Sequence, residues 1–295
     1  MRKIIVMLAV ATVFTSCQED KGYFISGSAP EMENGKMIYV SEIDENTNRP
    51  KRIDSTSLEN GEFELDLEDP ETPNLSFLEF EGIQGNVIFI AENQKINFKV
   101  YKDSIRASEV NGGKENRLLY EYLGHLKNIN EKVTKGRNAM RTAFQEQDST
   151  KLATLQETET EIIDNDKVYK KKLVQENPDS FVSIMVISDM LRMKSYPTNE
   201  IKEMFDGLSE EIQNTAIGKQ IGQNLEKESK VAVGSKAPNF TAPTPNGDEL
   251  SLKDAMGKVT VIDFWAAWCK PCRVENPNLV RTYNKYKDDG LSVIG

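Results

Sequence analysis

The residues whose type and spacing most readily do chemistry are Cys269 and Cys272, a C-x-x-C pair late in a chain of 295 residues. Val259 to Phe264 lie just before them and form an apolar run with β-branched residues, which predicts a strand. Arg273 to Val280 follow and can continue as a helix. The first thiol therefore falls at a strand-to-helix junction, on a helix N-terminus. Unpaired backbone N–H groups and the positive end of the helix dipole favour a thiolate there. A thiolate is the attacking species in disulfide exchange, and two intervening residues let Cys272 reach back and resolve a mixed disulfide on Cys269. Other uses of the pair fit less well. A structural zinc site needs four ligands, and the chain holds three Cys and one His. Attachment of a c-type haem needs His after the second Cys, where Arg273 stands. No organic cofactor and no metal is implied.

Asp-Phe-Trp-Ala-Ala-Trp-Cys-Lys-Pro-Cys, from Asp263 to Cys272, resembles the active site of the thioredoxin superfamily. Glu275 and Pro277 stand where the envelope branch similar to TlpA and ResA has its Glu-x-Pro. The resemblance runs over Gly234–Gly295 and implies a thiol–disulfide oxidoreductase. It makes Cys269 the attacking thiol and Cys272 the resolving one. Asp263 takes the place of the buried Asp that relays protons with the inner thiol, and Glu275 that of an active-site Glu. Trp268 is expected either to shield the dithiol or to pack as a core aromatic. Lys270 adds positive charge beside Cys269, and Pro271 is tolerated in the first helical turn, where its missing N–H has no partner. A thiol peroxidase is a nearer alternative than a metal site. That family has Thr three residues before its reactive Cys and Pro seven before, where this chain has Ala266 and Ile262.

The elements that must position this pair lie on a chain of several domains. The chain has 37 basic and 47 acidic residues, a formal charge of −10, which argues against phosphate-backbone binding and so against a nucleic-acid partner. Arg2 and Lys3 followed by the apolar Ile4–Phe14 read as a secretion signal, too short to span a bilayer, which takes about 20 apolar residues. Thr15-Ser16-Cys17 then resembles a bacterial lipoprotein signal, with Phe14 where Leu is usual. Residues 1–16 are read as the leader, Cys17 as the lipidated residue, and 17–22 as anchor and tether. That reading places the protein in the cell envelope, facing the periplasm, on the inner or outer membrane. With the lipid-bearing Cys17 set aside, the remaining pair has no structural disulfide to compete with it.

Residues 23–113 read as an all-β, antiparallel sandwich-like domain, with alternating runs at Tyr23–Ser28, Lys36–Ser41, Arg52–Ser57, Glu62–Leu67, Leu75–Phe80, Asn86–Ala91, Lys95–Tyr101 and Arg106–Val110, punctuated by Asn34-Gly35, Asn60-Gly61, Glu81-Gly82 and Asn111-Gly112-Gly113. Asp54-Ser55-Thr56, Gly61-Glu62-Phe63 and Asn111-Gly112-Gly113 before Asn116 resemble the β domain of unassigned function that precedes thioredoxin-like domains in Bacteroidetes-type envelope lipoproteins. Residues 114–228 read as helical, with a short helix marked by Ile201, Met204, Phe205 and Leu208 and another over Ile212–Leu225. Leu119, Tyr122, Leu126, Ile129, Val133, Met140 and Phe144 form one seam, and Leu152, Leu155, Ile162, Tyr169 and Leu173 a second, which predicts a long antiparallel hairpin. Such a seam can also pack across chains, as a homodimer. His125, the one histidine, lies in the first helix with no second ligand type and reads as a surface or packing residue.

Residues 229–295 read as the first part of a thioredoxin-like α/β fold, in which a helix links two parallel strands. A domain of that family continues with a further helix, a cis-proline loop, a hairpin and a last helix, so the sequence reads as a C-terminally truncated piece of a longer protein. The expected partners are protein disulfides or dithiols as substrates, a membrane thiol protein as electron donor, and the membrane through the lipid. The alternative is a ligand- or partner-binding lipoprotein whose redox domain is not functional.

Overall fold

The computed structural model describes residues 22–295 apart from 45, 46, 48, 69 and 71. The leader, Cys17 and the tether as far as residue 21 lie outside the described residues. The chain divides into two compact units, the first ending at Glu226 and the second beginning at Lys227. The β region and most of the helical region share the first.

Among the described residues, eight strands occupy the β region: β1 (Tyr23–Ser28), β2 (Met37–Asp44), β3 (Arg49–Ser57), β4 (Glu62–Leu67), β5 (Asn74–Phe80), β6 (Asn86–Ala91), β7 (Lys95–Lys99) and β8 (Glu109–Asn111). They form two four-stranded sheets, in the orders β4-β1-β7-β8 and β3-β2-β5-β6. Period-two alternation turns Ile25, Phe63, Ile96 and Phe98 of the first sheet toward Ile38, Val40, Leu78 and Phe89 of the second, all buried in one core. Phe89 and Phe98 meet edge to face at 5.2 Å. Each such side chain contributes about 1.5–3 kcal/mol by leaving water.

Two expectations are corrected here. The pairing is not antiparallel throughout, because β1 and β7 run parallel. The short link 92–94 carries the chain from one sheet to the other rather than back along the same one, so no hairpin sets the direction of β7. In place of a continuous strand over Arg106–Val110, a 3-10 helix spans Lys102–Ala107 and only Glu109–Asn111 pairs.

The sheet edge at β6 also builds the start of the first helix, α1 (Lys114–Gln145). Its N-cap position is Gly113, which has no side chain to accept the free N–H groups. Glu92, just past β6, does so instead: its carboxylate accepts from the N–H groups of Lys114, Glu115 and Asn116 at 3.1, 3.4 and 3.2 Å. Gly113 sits at φ 77°, and a Cβ there would fall within 1.9 Å of the Glu92 carboxyl carbon. Asn116, fully buried, turns its amide onto the edge strand. Its Nδ2 donates to the Ile90 carbonyl at 2.8 Å, and the Ile90 N–H donates to its Oδ1 at 2.9 Å. An asparagine side chain thus completes the ladder that β6 leaves open.

α1 and α2 (Ser149–Glu176) form the expected hairpin, with Asp148 accepting the Lys151 N–H at 2.9 Å as the cap between them. α3 (Phe181–Met193) is apolar nearly all round and buries Phe181, Val182, Ile184, Val186, Ile187 and Met190. α4 (Thr198–Asp206) follows. The single helix expected over Ile212–Leu225 is instead α5 (Glu210–Asn214) and α6 (Ala216–Ser229), because Thr215 takes an extended conformation and its hydroxyl accepts the Gly218 N–H.

The second unit, from Lys227 on, begins with β9 (Thr241–Pro243) and β10 (Glu249–Ser251), an antiparallel pair closed by the turn at Asn246-Gly247. Ser251 caps the short α7 (Leu252–Ala255) by accepting the Asp254 N–H at 3.2 Å. β11 (Val259–Ile262), α8 (Lys270–Tyr286) and β12 (Leu291–Ile294) then form a strand–helix–strand crossover, and β11 pairs with β12 in parallel as expected.

Candidate active site: a dithiol at a helix N-terminus

Cys269 is the N-cap of α8, with extended backbone angles, and its Sγ accepts the Cys272 N–H at 3.3 Å. The spacing alone produces this. Cys269 closes the loop after β11, Lys270 and Pro271 occupy the first turn, and Cys272 follows on the inner face. The two sulfurs are joined as a disulfide with Cα atoms 5.4 Å apart. Both cysteines are half-buried, and Cys272 shares its side of α8 with half-buried Asn276 and Leu279. Released as a thiolate, Cys269 would keep the Cys272 N–H as a charge-assisted donor at the positive end of α8. The pair is therefore held where one sulfur is stabilised as an anion and the other is within bonding reach.

Among the described residues, the other sequence-predicted side chains make no hydrogen bond to either sulfur. Lys270 and Pro271 lie between the cysteines in the first turn, and Lys270 is exposed. Trp268 is 88% exposed, so it neither covers the dithiol nor packs as a core aromatic. Phe264 is equally open at 89%, and the loop from β11 to α8 presents an apolar face to solvent. Asp263 is half-buried rather than enclosed, its backbone N–H donating to the Ile294 carbonyl at 2.8 Å. Glu275 lies on the exposed side of α8 and accepts from the Asn278 amide at 3.1 Å. Among the described residues, neither carboxylate hydrogen-bonds to a cysteine.

A second cluster of ionisable groups lies in the first unit, and sequence reasoning missed it. Lys170, 4% exposed, sits between Asp166 at 2.9 Å and Asp189 at 3.1 Å. His125 meets the other oxygen of Asp166 at 2.8 Å and stacks on Tyr169 at 3.7 Å. Tyr122 donates to Asp189 at 3.0 Å, and Arg192 closes on the same carboxylate. Burial raises the carboxyl pKa of Asp189, but hydrogen bonds from Arg192 and Lys170 outweigh it and hold the group below its ordinary value. Burial pushes the Tyr122 hydroxyl well up, with the Asp189 charge adding to the effect. The Asp166–Lys170 spacing was the one visible signal; Asp189 comes from another helix. His125 thus has a carboxylate and a ring as partners, and no group of metal-ligating side chains occurs among the described residues.

Comparison with known proteins bears on both units. Residues 233–295 match the AhpC/TSA family, and residues 23–119 match a domain of unknown function, DUF4369. The chain is 39% identical over 84 residues to the thiol-disulfide oxidoreductase ResA of Bacillus cereus (strain ATCC 10987 / NRS 248), covering 28% of this chain and 49% of that protein. It is 43% identical over 68 residues to ResA of Bacillus thuringiensis subsp. konkukian, covering 23% of this chain and 39% of that protein. Over 62 residues it is 44% identical to the thioredoxin-like protein YneN of Bacillus subtilis, covering 21% and 36%. The chain spans half or less of the length of these relatives. No solved structure matches it. The architecture is thus an N-terminal all-β domain, a central helical region and part of a C-terminal α/β thioredoxin-like fold.

Proposed function

We propose that this protein is a thiol–disulfide oxidoreductase of the cell envelope that reduces disulfides in exported proteins. The observation that carries the reading is the placement of Cys269 as the cap of α8, with the Cys272 N–H on its sulfur and Cys272 bonded to it. Starting from the reduced pair, the Cys269 thiolate attacks a substrate disulfide, and one substrate sulfur leaves as a thiolate that takes up a proton. Cys272 then gives up its proton and attacks the Cys269 sulfur, which releases the second substrate thiol. Two electrons and two protons pass to the substrate, and the pair returns to the disulfide described above. A thiol protein in the membrane re-reduces it. The ResA relatives are named thiol-disulfide oxidoreductases; reduction as the direction is taken from the resemblance to the TlpA and ResA branch and is part of the proposal.

Attachment through Cys17 is part of the same proposal, and metabolic labelling with a fatty acid should disappear in Cys17→Ser. No helix among the described residues is long and apolar enough to cross a membrane. The deciding experiment is insulin reduction with dithiothreitol as donor. Cys269→Ser should abolish it, while Cys272→Ser should accumulate a mixed disulfide between Cys269 and the substrate. Activity that survives Cys269→Ser would overturn the proposal. A second reading, ligand binding by the first unit, draws on a cleft of about 570 Å³ bordered by Leu75, Phe181, Met185, Arg192 and Ile217. It predicts a function that persists when both cysteines are replaced. Peroxidase chemistry would lack the hydroxyl that its family places at Ala266, and slow peroxide consumption is expected.

A further inference from the structure

We propose that a second copy of this chain packs against the α1–α2 hairpin, closing a four-helix bundle about a twofold axis parallel to the helices. The hairpin does not finish its own core. Val133, Met140, Leu152, Leu155 and Ile162 face the seam but are only partly buried and belong to neither buried cluster of the unit. Two helices cover a seam from two sides only, and bundles of this type close with four. Gly136 lies beside the seam with nothing within 4 Å of where a Cβ would stand, so the helix is uncovered there.

Charge identifies the occupant as another copy. From Lys127 to Gln145, α1 carries Lys127, Lys132, Lys135, Arg137 and Arg141 against the single acid Glu131. From Ser149 to Asp166, α2 carries Glu157, Glu159, Glu161, Asp164 and Asp166 against the single base Lys151. Within those stretches Arg137–Glu159, at 2.9 Å, is the one ion pair that joins the two helices among the described residues. Lys132, Lys135 and Glu161 are exposed and have no ion-pair partner there. A surface with one basic and one acidic ridge is complementary to itself.

The same pattern fixes the orientation. A twofold axis parallel to the helices sets the basic helix of one copy against the acidic helix of the other, with both hairpin tips at the same end. An axis lying across the helices within the interface would set basic on basic and acidic on acidic. An axis parallel to the helices also involves no shift along them. The Arg137–Glu159 and His125–Asp166 contacts define the hairpin register, and by that register Lys132 and Lys135 of one copy come level with Glu161 of the other. The 100° step of an α-helix places Lys132 and Glu161 on one flank of the hairpin, the flank toward which Gly136 leans, with Lys135 at its outer rim.

Sedimentation velocity tests the proposal on the whole chain, and the readout does not depend on the dithiol. The expected result is a dimer at low salt whose dissociation constant rises at least tenfold when salt is raised, since screening acts over about 10 Å at 0.1 M. Lys132→Glu with Lys135→Glu should be monomeric, and so should Glu157→Lys with Glu161→Lys. An equal mixture of the two should recover a heterodimer. Helical circular dichroism checks that each variant folds. If a reversal unfolds, neutralising Lys132→Gln with Lys135→Gln replaces it and must weaken the dimer at least threefold. For the orientation, Gln147→Cys with the three native cysteines replaced by serine should cross-link tip to tip through a short bismaleimide. A monomeric wild type, association indifferent to the reversals, or a mixture that stays monomeric would overturn the proposal. A dimer without tip cross-linking would overturn the parallel axis.

Discussion

Replacing Asn116 by alanine tests how the β region and the helices become one unit. Asn116 is fully buried and its amide makes three hydrogen bonds: one donated to the Ile90 carbonyl, one accepted from the Ile90 N–H, and one donated to Glu92 at 3.0 Å. Ile90 is itself fully buried on the edge strand β6, so the truncation strands a backbone donor and a backbone acceptor away from water. Each unsatisfied group costs about 1–3 kcal/mol. Alanine returns about 0.5 kcal/mol through its better helix propensity. The net loss expected is about 3 kcal/mol, which in a unit of roughly 200 residues lowers the melting temperature by about 6–12 °C. Far-UV circular dichroism follows this transition, because the long helices α1 and α2 lie in the first unit. Both tryptophans lie in the second unit, so their fluorescence should melt where it does in the parent. Asn116→Asp separates lost hydrogen bonds from lost volume. At neutral pH its carboxylate would face the Ile90 carbonyl and the Glu92 carboxylate, and the variant should be no more stable than Asn116→Ala. This buried carboxyl has a raised pKa in the folded state, so stability returns as pH falls and the protonated group donates to Ile90. A melting temperature lowered by less than about 2 °C in Asn116→Ala would refute the reasoning, since it would mean the Ile90 groups find other partners at little cost.

Two further predictions concern the helical region. Gly124 lies inside α1, and a Cβ built on it meets nothing within 4 Å, so Gly124→Ala should stabilise the first unit by about 0.5–1 kcal/mol in urea denaturation. Asp189 is held below its ordinary pKa of 3.8 in the folded state, so its contribution is present above that value and is lost as pH falls through the folded value. Asp189→Asn should cost about 1–3 kcal/mol at pH 7 and flatten the loss of stability below about pH 4, measured by urea denaturation across pH.

The sequence displayed the candidate site more fully than the fold that carries it, and the reason is range. A C-x-x-C after a β-branched run specifies a strand, a cap and a first turn within a dozen residues, and each is a local preference. Cys269 therefore stands where its neighbours alone would put it. β1, β4 and β6 were legible to the residue for the same reason, because alternation and Asn-Gly turns act over a few positions. What escaped was decided by residues far apart. The parallel β1–β7 pair depends on the chain changing sheets at 92–94, which no alternation pattern encodes. Asn111-Gly112-Gly113 with Asn116 could be seen as a pattern, but its physical reasons lie elsewhere in the chain. Gly113 is needed because the Glu92 carboxylate takes the place of a capping side chain, Gly112 because a Cβ there would meet the Lys95 carbonyl, and Asn116 because a sheet edge ends there. The Lys170 cluster draws on α1, α2 and α3 at once, so only its Asp166 half showed in the spacing. The exposure of Trp268 makes the same point from the other side. Its position beside Cys269 is local and was foreseen, whereas a cover over the dithiol requires packing partners that a local motif does not supply.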